Sequence, residues 1–365
     1  MTESVFSIKK EEEIRPPVIS SGWLGWIKSN LFNSGFNSIL TILTLFLFWK
    51  ILPPFFRWVF MESRWSGSSD QCREAAGACW AVVTSNLRFI IFGFYPHDQQ
   101  WRPLTAMVLL VVLLFYSRNR LRWKKSLIYV WGVSLIIMGI LLKGGLLGLP
   151  SVETTKWGGL PLTLLLSVFG LTAAYPLGII LALGRRSQMV AIKTLAVIYI
   201  EAIRGVPLIS LLFMSSVIFP LFLPQGVTVN KIIRAQMAII LFTGAYIAEV
   251  VRGGLQAIPK GQYEAADALG LNYFQTMRLV ILPQALKIVI PPSVSILISA
   301  FKDTSLVVII ALYDLLKTAK SVLSDPKWMG FSTEAYIFIA LIYFICCYCM
   351  SNYSRRLERE LDRSL

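Results

Sequence analysis

Three pairs of ionisable residues interrupt segments that are otherwise strongly apolar. They are Glu201 with Arg204, Glu249 with Arg252, and Lys302 with Asp303. Members of the first two pairs are three residues apart and would share a helix face, whereas the adjacent third pair points in different directions. Charges in membrane-spanning helices are costly and usually face a bundle interior or a watery cavity. Such pairs either contact a charged ligand in a cavity or fix helix packing, and the residues alone leave both open.

The chain lacks the residues that nucleophilic catalysis, metal binding and P-loop nucleotide binding require. The chain has one histidine, His97, so a Ser/His/Asp set is implausible, and it has no H-E-x-x-H metal motif. It also has no G-x-x-x-x-G-K-[ST] loop, which excludes nucleotide binding through a P-loop. We therefore expect no catalytic residue, no metal site and no cofactor in this chain. The basic clusters come without the stacking aromatics of a soluble domain, so we expect no nucleic-acid partner.

The composition predicts an all-α polytopic membrane protein. Of 365 residues, 56% are hydrophobic and only 15% are charged, and the mean hydropathy is +0.65. A spanning helix needs roughly 20 apolar residues. Eight segments are candidates, of which the second is short: 37–56, 104–117, 127–147, 160–183, 193–223, 232–252, 289–312 and 334–352. Pro207 interrupts the fifth segment and is expected to unwind it locally.

The distribution of basic residues predicts the orientation. The loop 118–125, "RNRLRWKK", carries five basic residues and no acidic ones, and "RRLERELDRSL" ends the chain. Basic residues concentrate in cytoplasmic loops. With the tails 1–36 and 356–365 inside, both segments are cytoplasmic, and the nearly charge-balanced loop 57–103 lies outside. The first 30 residues lack the apolar core of a cleavable signal peptide.

Two features of the outer loop need a specific prediction. Residues 79–96 could form a ninth span, but Arg88 near their centre favours an amphipathic helix at the outer interface. The interfacial anchors would be Trp80, Phe89, Phe92 and Tyr95. Cys72 and Cys79 are seven residues apart, and on a single helix they would be too distant to form a disulfide with each other.

The cytoplasmic segment 253–288 has the start and stop signals of two short helices. Pro259 suits a first helical turn, and helix-forming residues follow it. Gly270 suits the position after a helix end, where a positive φ is favoured. Asn272 with Gln275 can form a capping box for the second helix. We therefore predict a helix–turn–helix.

The second of these helices is expected to run to Leu282 and to kink or end at Pro283. Three small residues of the first, Ala265, Ala266 and Ala268, would form a surface that another protein could approach closely. On physical grounds alone, an ordinary amphipathic loop explains the segment equally well.

The spacing within the segment resembles the EAA loop of ABC importer permeases. The family pattern EAA–x3–G–x9–I–x–LP is matched, with Val280 in place of Ile, at Glu264, Ala265, Ala266, Gly270, Leu282 and Pro283. In that family a short coupling helix docks on a separate ATPase subunit. The resemblance assigns this coupling role to Pro259, Lys260, Tyr263, Glu264, Ala265, Ala266, Asp267 and Gly270.

Further segments resemble the polar-amino-acid branch of the family. They are "EAIRGVPLI", with Glu201, Arg204 and Pro207; "AEVVRGGLQAIPKGQ", with Glu249 and Arg252; and "FKDTSLV", with Lys302, Asp303, Thr304 and Ser305. We assign these residues to the translocation pathway or its gate, since a zwitterionic amino acid needs both signs of charge nearby. The segments fall within 160–355. The extra block 37–159 resembles the larger permease of general L-amino-acid or glutamate/glutamine/aspartate/asparagine importers.

The resemblance implies a type I importer (MetI-like) fold, with a five-helix core after three N-terminal helices. It further implies ATP-driven uptake of polar L-amino acids across a bacterial inner membrane, with ATP and Mg bound on partner ATPase subunits. A second homologous permease subunit and a periplasmic amino-acid-binding protein would complete the complex. Two alternatives remain: a secondary amino-acid transporter, and a gating or structural permease subunit without substrate contact.

Overall fold

The computed structural model describes residues 22–119, 122–146 and 148–362, which are almost entirely helical. Within these ranges seven helices are long and apolar enough to cross a membrane, or eight when one sharply bent pair counts as a single span. The predicted all-α fold with about eight spans is confirmed. The chain forms two compact units, 1–79 and 80–365. The two parts predicted from the sequence, 37–159 and 160–355, instead meet at residue 160.

The described part of the first unit is built on one long spanning helix. Helix α1 covers Gly22–Asn30, and α2 covers Gly35–Phe56 and continues as a π-helical turn over Arg57–Met61. Ser34 caps the start of α2 through the backbone N–H of Asn37. No side chain of α2 is buried within the chain, as suits a helix whose surroundings are lipid.

A disulfide closes the end of this unit, and the prediction that Cys72 and Cys79 do not bond is wrong. The two cysteines do not share a helix, because α3 covers only Ser69–Arg73 and the chain then turns back. Their Cα atoms are 5.5 Å apart, within the range of a disulfide. The segment that returns after α3 is held by backbone hydrogen bonds from Ala78 N to Trp58 O (2.9 Å) and from Arg64 N to Ala78 O (2.8 Å).

Residues 79–96 do not span the membrane. Helix α4 covers Ala81–Phe92, and its 12 residues extend about 18 Å, short of the roughly 30 Å hydrocarbon layer. The helix packs on protein, since its Ile90 carbonyl accepts a hydrogen bond from Thr318 Oγ1 (2.8 Å).

Two predicted lipid anchors of this segment are wrong, because Trp80 and Tyr95 are buried within the protein. The Tyr95 hydroxyl donates a hydrogen bond to the Leu142 carbonyl at 2.9 Å. Phe89 and Phe92 are half-buried.

Helices α5 (Trp101–Ser117) and α6 (Lys125–Lys143) form an antiparallel pair. Arg102, which counts as an outer-loop charge in the sequence, is fully buried here. Its guanidinium donates to the carbonyls of Leu141 (2.6 Å) and Pro150 (2.9 Å) and so fastens the start of α5 to the end of α6. The Leu141 carbonyl is an acceptor that the end of α6 leaves free.

The central helices of the second unit are α7 (Gly159–Arg185) and α10 (Lys231–Ala257). They approach closely because glycines face large side chains: a Cβ at Gly178 would lie 2.5 Å from Ile247, and one at Gly244 would lie 2.8 Å from Leu177. Small residues play this role where spanning helices pack, since van der Waals contact replaces the hydrophobic driving force.

The fifth predicted span is broken, as Pro207 led us to expect. Helix α8 covers Val190–Arg204 and α9 covers Leu208–Phe213, and α8 makes an angle of 102° with the helical run Leu208–Phe222 that α9 begins. Pro207 has extended backbone angles (φ −60°, ψ 143°). The chain then continues as a π-helical turn at 214–218 and a 3₁₀ turn at 219–222.

Beyond the cytoplasmic segment, one helical run covers Tyr273–Ile310. It consists of α12 (Tyr273–Gln275), a π-helical stretch at 276–281, α13 (Leu282–Asp303) and a 3₁₀ turn at 304–310. The second loop helix therefore does not end at Pro283, and the helix that contains the predicted span 289–312 begins before residue 289. Pro283 stands in the first turn of α13, where the missing N–H is tolerated.

The last elements are α14 (Leu315–Leu323) and the long α15 (Ser332–Asp362). Asp314 precedes α14 and is fully buried. Its carboxylate accepts hydrogen bonds from the backbone N–H groups of Leu316 (3.2 Å) and Lys317 (2.9 Å), and so caps the helix. Burial raises the pKa of Asp314 to about 6, because desolvation outweighs these stabilising contacts. Asp314 lies between the last two spans, outside either one.

Candidate coupling loop and ion-pair cluster

The cytoplasmic segment folds as the predicted helix–turn–helix. Helix α11 covers Lys260–Ala268. It ends in a Schellman motif: Gly270 has φ +71°, its N–H donates to Asp267 O (2.9 Å), and Leu271 N–H donates to Ala266 O (3.2 Å). Asn272 and Gln275 form the capping box that starts the next helix.

One face of α11 is open to a partner. Within the predicted coupling set, the exposed side chains are those of Pro259, Lys260, Glu264, Ala265 and Asp267. The apolar Leu269 beside them is 78% exposed. Ala266 is only 2% exposed and faces the chain's own interior, so its predicted place on the small-residue surface is wrong.

The opposite face of α11 is tied to the membrane core. Arg186 Nη1 donates to the Tyr263 hydroxyl (3.1 Å) and to the Leu255 carbonyl (3.0 Å), and the Tyr263 hydroxyl itself lies 3.4 Å from that carbonyl. Leu255 O lacks its usual helical partner, since residue 259, four positions later, is a proline without an N–H. A second tie joins Gln284 Nε2 to Gln262 Oε1 at 2.9 Å.

Next to this contact, five charged side chains form a cluster among α7, α8 and α10, which we call the ion-pair cluster. Its members are Arg185, Glu201, Arg204, Glu249 and Arg252. Glu249 is central: it pairs with Arg252, with Arg185 (3.2 Å) and with Arg204 (3.6 Å). Arg185 also pairs with Glu201 at 3.0 Å.

The cluster departs from the sequence prediction in its pairing. Glu249 and Arg252 pair along one helix as their spacing suggests, but Glu201 and Arg204 each pair with a residue of another helix. The Glu201 side chain is 56% exposed in the isolated chain, whereas that of Glu249 is 24% exposed. Three arginines and two glutamates leave the cluster with one surplus positive charge.

Arg185 and Arg186 are the residues that sequence reasoning missed. They follow the span predicted at 160–183 and match the basic bias of cytoplasmic loops, so their local sequence indicates only the orientation of the chain. Their sequence context carries no signal of this contact, because Glu201 and Glu249 already have candidate partners three residues away in Arg204 and Arg252.

Four of the remaining pathway candidates, residues 302–305, lie far from the cluster, whereas Pro207 lies three residues after Arg204. Val289 of α13 packs against Gly254 at the cluster end of α10, and Lys302 is 13 residues further on, about 20 Å along a helix. In the described part of the chain, neither Lys302 nor Asp303 makes an ion pair. Thr304 is buried and Ser305 is half-buried at the end of α13.

Comparison with known proteins identifies the family. The family model for the binding-protein-dependent transport system inner membrane component matches residues 174–363. A relative from Escherichia coli (strain K12), the inner membrane amino-acid ABC transporter permease protein YhdY, is 49% identical over 94% of each chain. The chain belongs to this permease family. A glutamate/glutamine/aspartate/asparagine transport system permease protein, BztC, from Rhodobacter capsulatus is 38% identical to the permease over 95% of each chain.

A solved amino acid ABC transporter chain is 33% identical to the permease, with a TM-score of 0.49, and covers 55% of it and 92% of the solved chain. The family model and the relatives show that the permease is a multi-span membrane subunit of an ABC importer, a type of complex that also contains ATPase and binding-protein components. Family membership favours this interpretation over a secondary transporter.

Proposed function

We propose that the permease imports polar or acidic L-amino acids by alternating access, driven by ATP hydrolysis on a separate ATPase subunit that docks on α11. The observation that carries the proposal is the two-sided placement of this helix. One face presents Glu264, Ala265 and Asp267 to a partner, while Tyr263 on the other face is bonded to the core. The names of the relatives support the amino-acid substrate.

In this proposal the permease holds no cofactor, and its ATPase subunits bind ATP and Mg. A second, homologous permease subunit pairs with it as a heterodimer, and a periplasmic amino-acid-binding protein delivers the substrate. Glu201 supports the presence of a neighbour: a half-exposed carboxylate within a bent span needs a watery cavity or another subunit beside it. Both termini lie in the cytoplasm of a bacterium, and the spans cross its inner membrane.

The ion-pair cluster acts as the cytoplasmic gate of the pathway. Its ion pairs join three helices, so they must rearrange when those helices separate. During passage, the surplus arginine can donate hydrogen bonds to a substrate carboxylate, while Glu201 or Glu249 attracts the ammonium group. Alternating access requires that ATP and the loaded binding protein each bind one state of the permease more tightly than the other, and in this proposal both favour the outward-facing state.

The test is purification of the permease with its native partners, followed by reconstitution into liposomes with the binding protein outside and ATP inside. We expect uptake that requires both ATP and the binding protein, and ATPase activity that the amino-acid-loaded binding protein stimulates. Uptake that the purified chain alone performs from an ion gradient, and that an ionophore abolishes, would overturn the proposal in favour of a secondary transporter.

A second candidate, a gating subunit without substrate contact, is favoured by one observation. Lys302 and Asp303 lie about 20 Å along α13 from the residues that pack on the cluster end of α10, so the candidate charges do not form one binding site. If Lys302→Met and Asp303→Asn leave the concentration dependence of uptake unchanged, the partner permease holds the substrate. A shift of the half-saturating concentration assigns the contact to this chain.

A further inference from the structure

We propose that Arg186 is a positioning residue that transmits movement of α11 to the ion-pair cluster. The inference rests on the proposed function and names the contact through which the ATPase would act. Arg186 follows directly after α7, and its neighbour Arg185 is the residue that joins Glu201 of α8 to Glu249 of α10. The end of α7 therefore holds the coupling helix with one arginine and the cluster with the other.

The contact of Arg186 with α11 is specific in its chemistry. One guanidinium nitrogen serves both Tyr263 and the Leu255 carbonyl, and the guanidinium carbon lies 5.6 Å from the centre of the Tyr263 ring. A planar guanidinium can donate hydrogen bonds and contact a ring face at the same time, which an ammonium group does less well.

Pro259 makes this contact possible. Because its missing N–H leaves Leu255 O without a helical donor, the carbonyl at the end of α10 is free to accept from Arg186 and Tyr263. Three elements thus meet at one oxygen: the ends of α7 and α10, and the helix α11. When α11 moves relative to α10, either these hydrogen bonds break or the end of α7 moves as well.

The movement of α7 reaches the cluster through the adjacent residue. A displaced Arg185 cannot keep both its 3.0 Å contact with Glu201 and its 3.2 Å contact with Glu249, since these residues belong to different helices. Opening of the cluster would then follow the coupling helix rather than occur independently of it.

The test compares Arg186→Gln and Tyr263→Phe with the wild-type protein in the reconstituted complex, and it measures amino acid taken up per ATP hydrolysed. We expect each variant to lower this ratio about fivefold, the lower end of typical coupling between sites, while ATPase activity persists. The double variant should be no worse than either single variant, because both remove the same contact. Arg186→Lys, which keeps a charge and a donor, should recover part of the ratio.

Lys193→Gln removes an exposed positive charge on the same side and is the matched control; we expect the wild-type ratio. If the wild-type complex couples ATP to uptake and Arg186→Gln keeps that coupling, this inference is wrong and the proposed function stands. If the wild-type complex shows no ATP-dependent uptake, the proposed function itself fails. Additive losses in the double variant would also overturn the inference.

Discussion

The Arg185 guanidinium lies 3.2 Å from the Glu249 carboxylate and joins helices α7 and α10 at their shared end. The same carboxylate accepts from Arg252 and lies 3.6 Å from Arg204. One glutamate thus compensates three arginines, while Glu201 compensates one of them. The two acidic residues of the cluster should therefore differ strongly in what their removal costs.

We predict that Glu249→Gln lowers the thermal stability of the detergent-solubilised permease far more than Glu201→Gln. Loss of Glu249 leaves Glu201 as the one acidic residue of the cluster beside three largely enclosed arginines, at a cost of about 3 kcal/mol. Loss of the half-exposed Glu201 should cost about 1 kcal/mol or less. Thermal unfolding of the two variants, which change charge equally, measures the difference. Equal losses would contradict the central position of Glu249.

We predict that Gly270→Pro abolishes coupling and that Gly270→Asn preserves it. Gly270 has φ +71° and donates its N–H to Asp267 O, and proline can provide neither feature. Asparagine keeps the N–H and tolerates the left-handed conformation, and a Cβ at this position would meet nothing within 4 Å. The measurements are the amount of ATPase subunit recovered with each variant and the ATP-driven uptake. Full uptake by Gly270→Pro would contradict the role of the loop.

The loop could be predicted from the sequence because its signals are local. A proline before a helix, a glycine after it and an Asn–Gln capping box act on backbone within a few residues, and all three are formed at residues 259–275. The break at Pro207 was predictable for the same reason. Spans follow from hydropathy because the bilayer imposes their length.

What could not be predicted depends on contacts between distant segments. Arg102 is buried against carbonyls some 40 residues away, and Arg186 bonds to Tyr263 across 77 positions. A basic residue at the end of a span has the same local appearance whether it marks orientation or makes such a contact. The Cys72–Cys79 disulfide was missed because the early end of α3 is not evident from its residue types.

The disulfide leads to a prediction about both chemistry and orientation. If residues 57–79 lie outside the inner membrane, they fold in an oxidising compartment and the bond persists. Of the five cysteines, Cys346, Cys347 and Cys349 are free.

We therefore expect a maleimide reagent to label three thiols in the denatured, unreduced protein and five after reduction. Cys72→Ser is the control and should give four without reduction. Five labelled thiols before reduction would contradict both the bond and the orientation.

The buried Asp314 predicts a pH dependence of stability whose sign is fixed by its raised pKa. In the folded protein the pKa of Asp314 is about 6, whereas in the unfolded chain it is about 3.9. Folding therefore favours the protonated acid, so its contribution to stability is complete below pH about 4 and is lost as the pH rises through about 6. The loss amounts to about 3 kcal/mol, from a difference of about two pKa units.

Asp314→Asn keeps a capping oxygen without the charge, so its stability relative to wild type should rise between pH 4 and pH 8. Thermal unfolding in one detergent across this range provides the measurement, and Asp98→Asn, which removes an exposed carboxyl, is the control. A difference between Asp314→Asn and wild type that stays constant with pH would show that folding does not raise the pKa of Asp314.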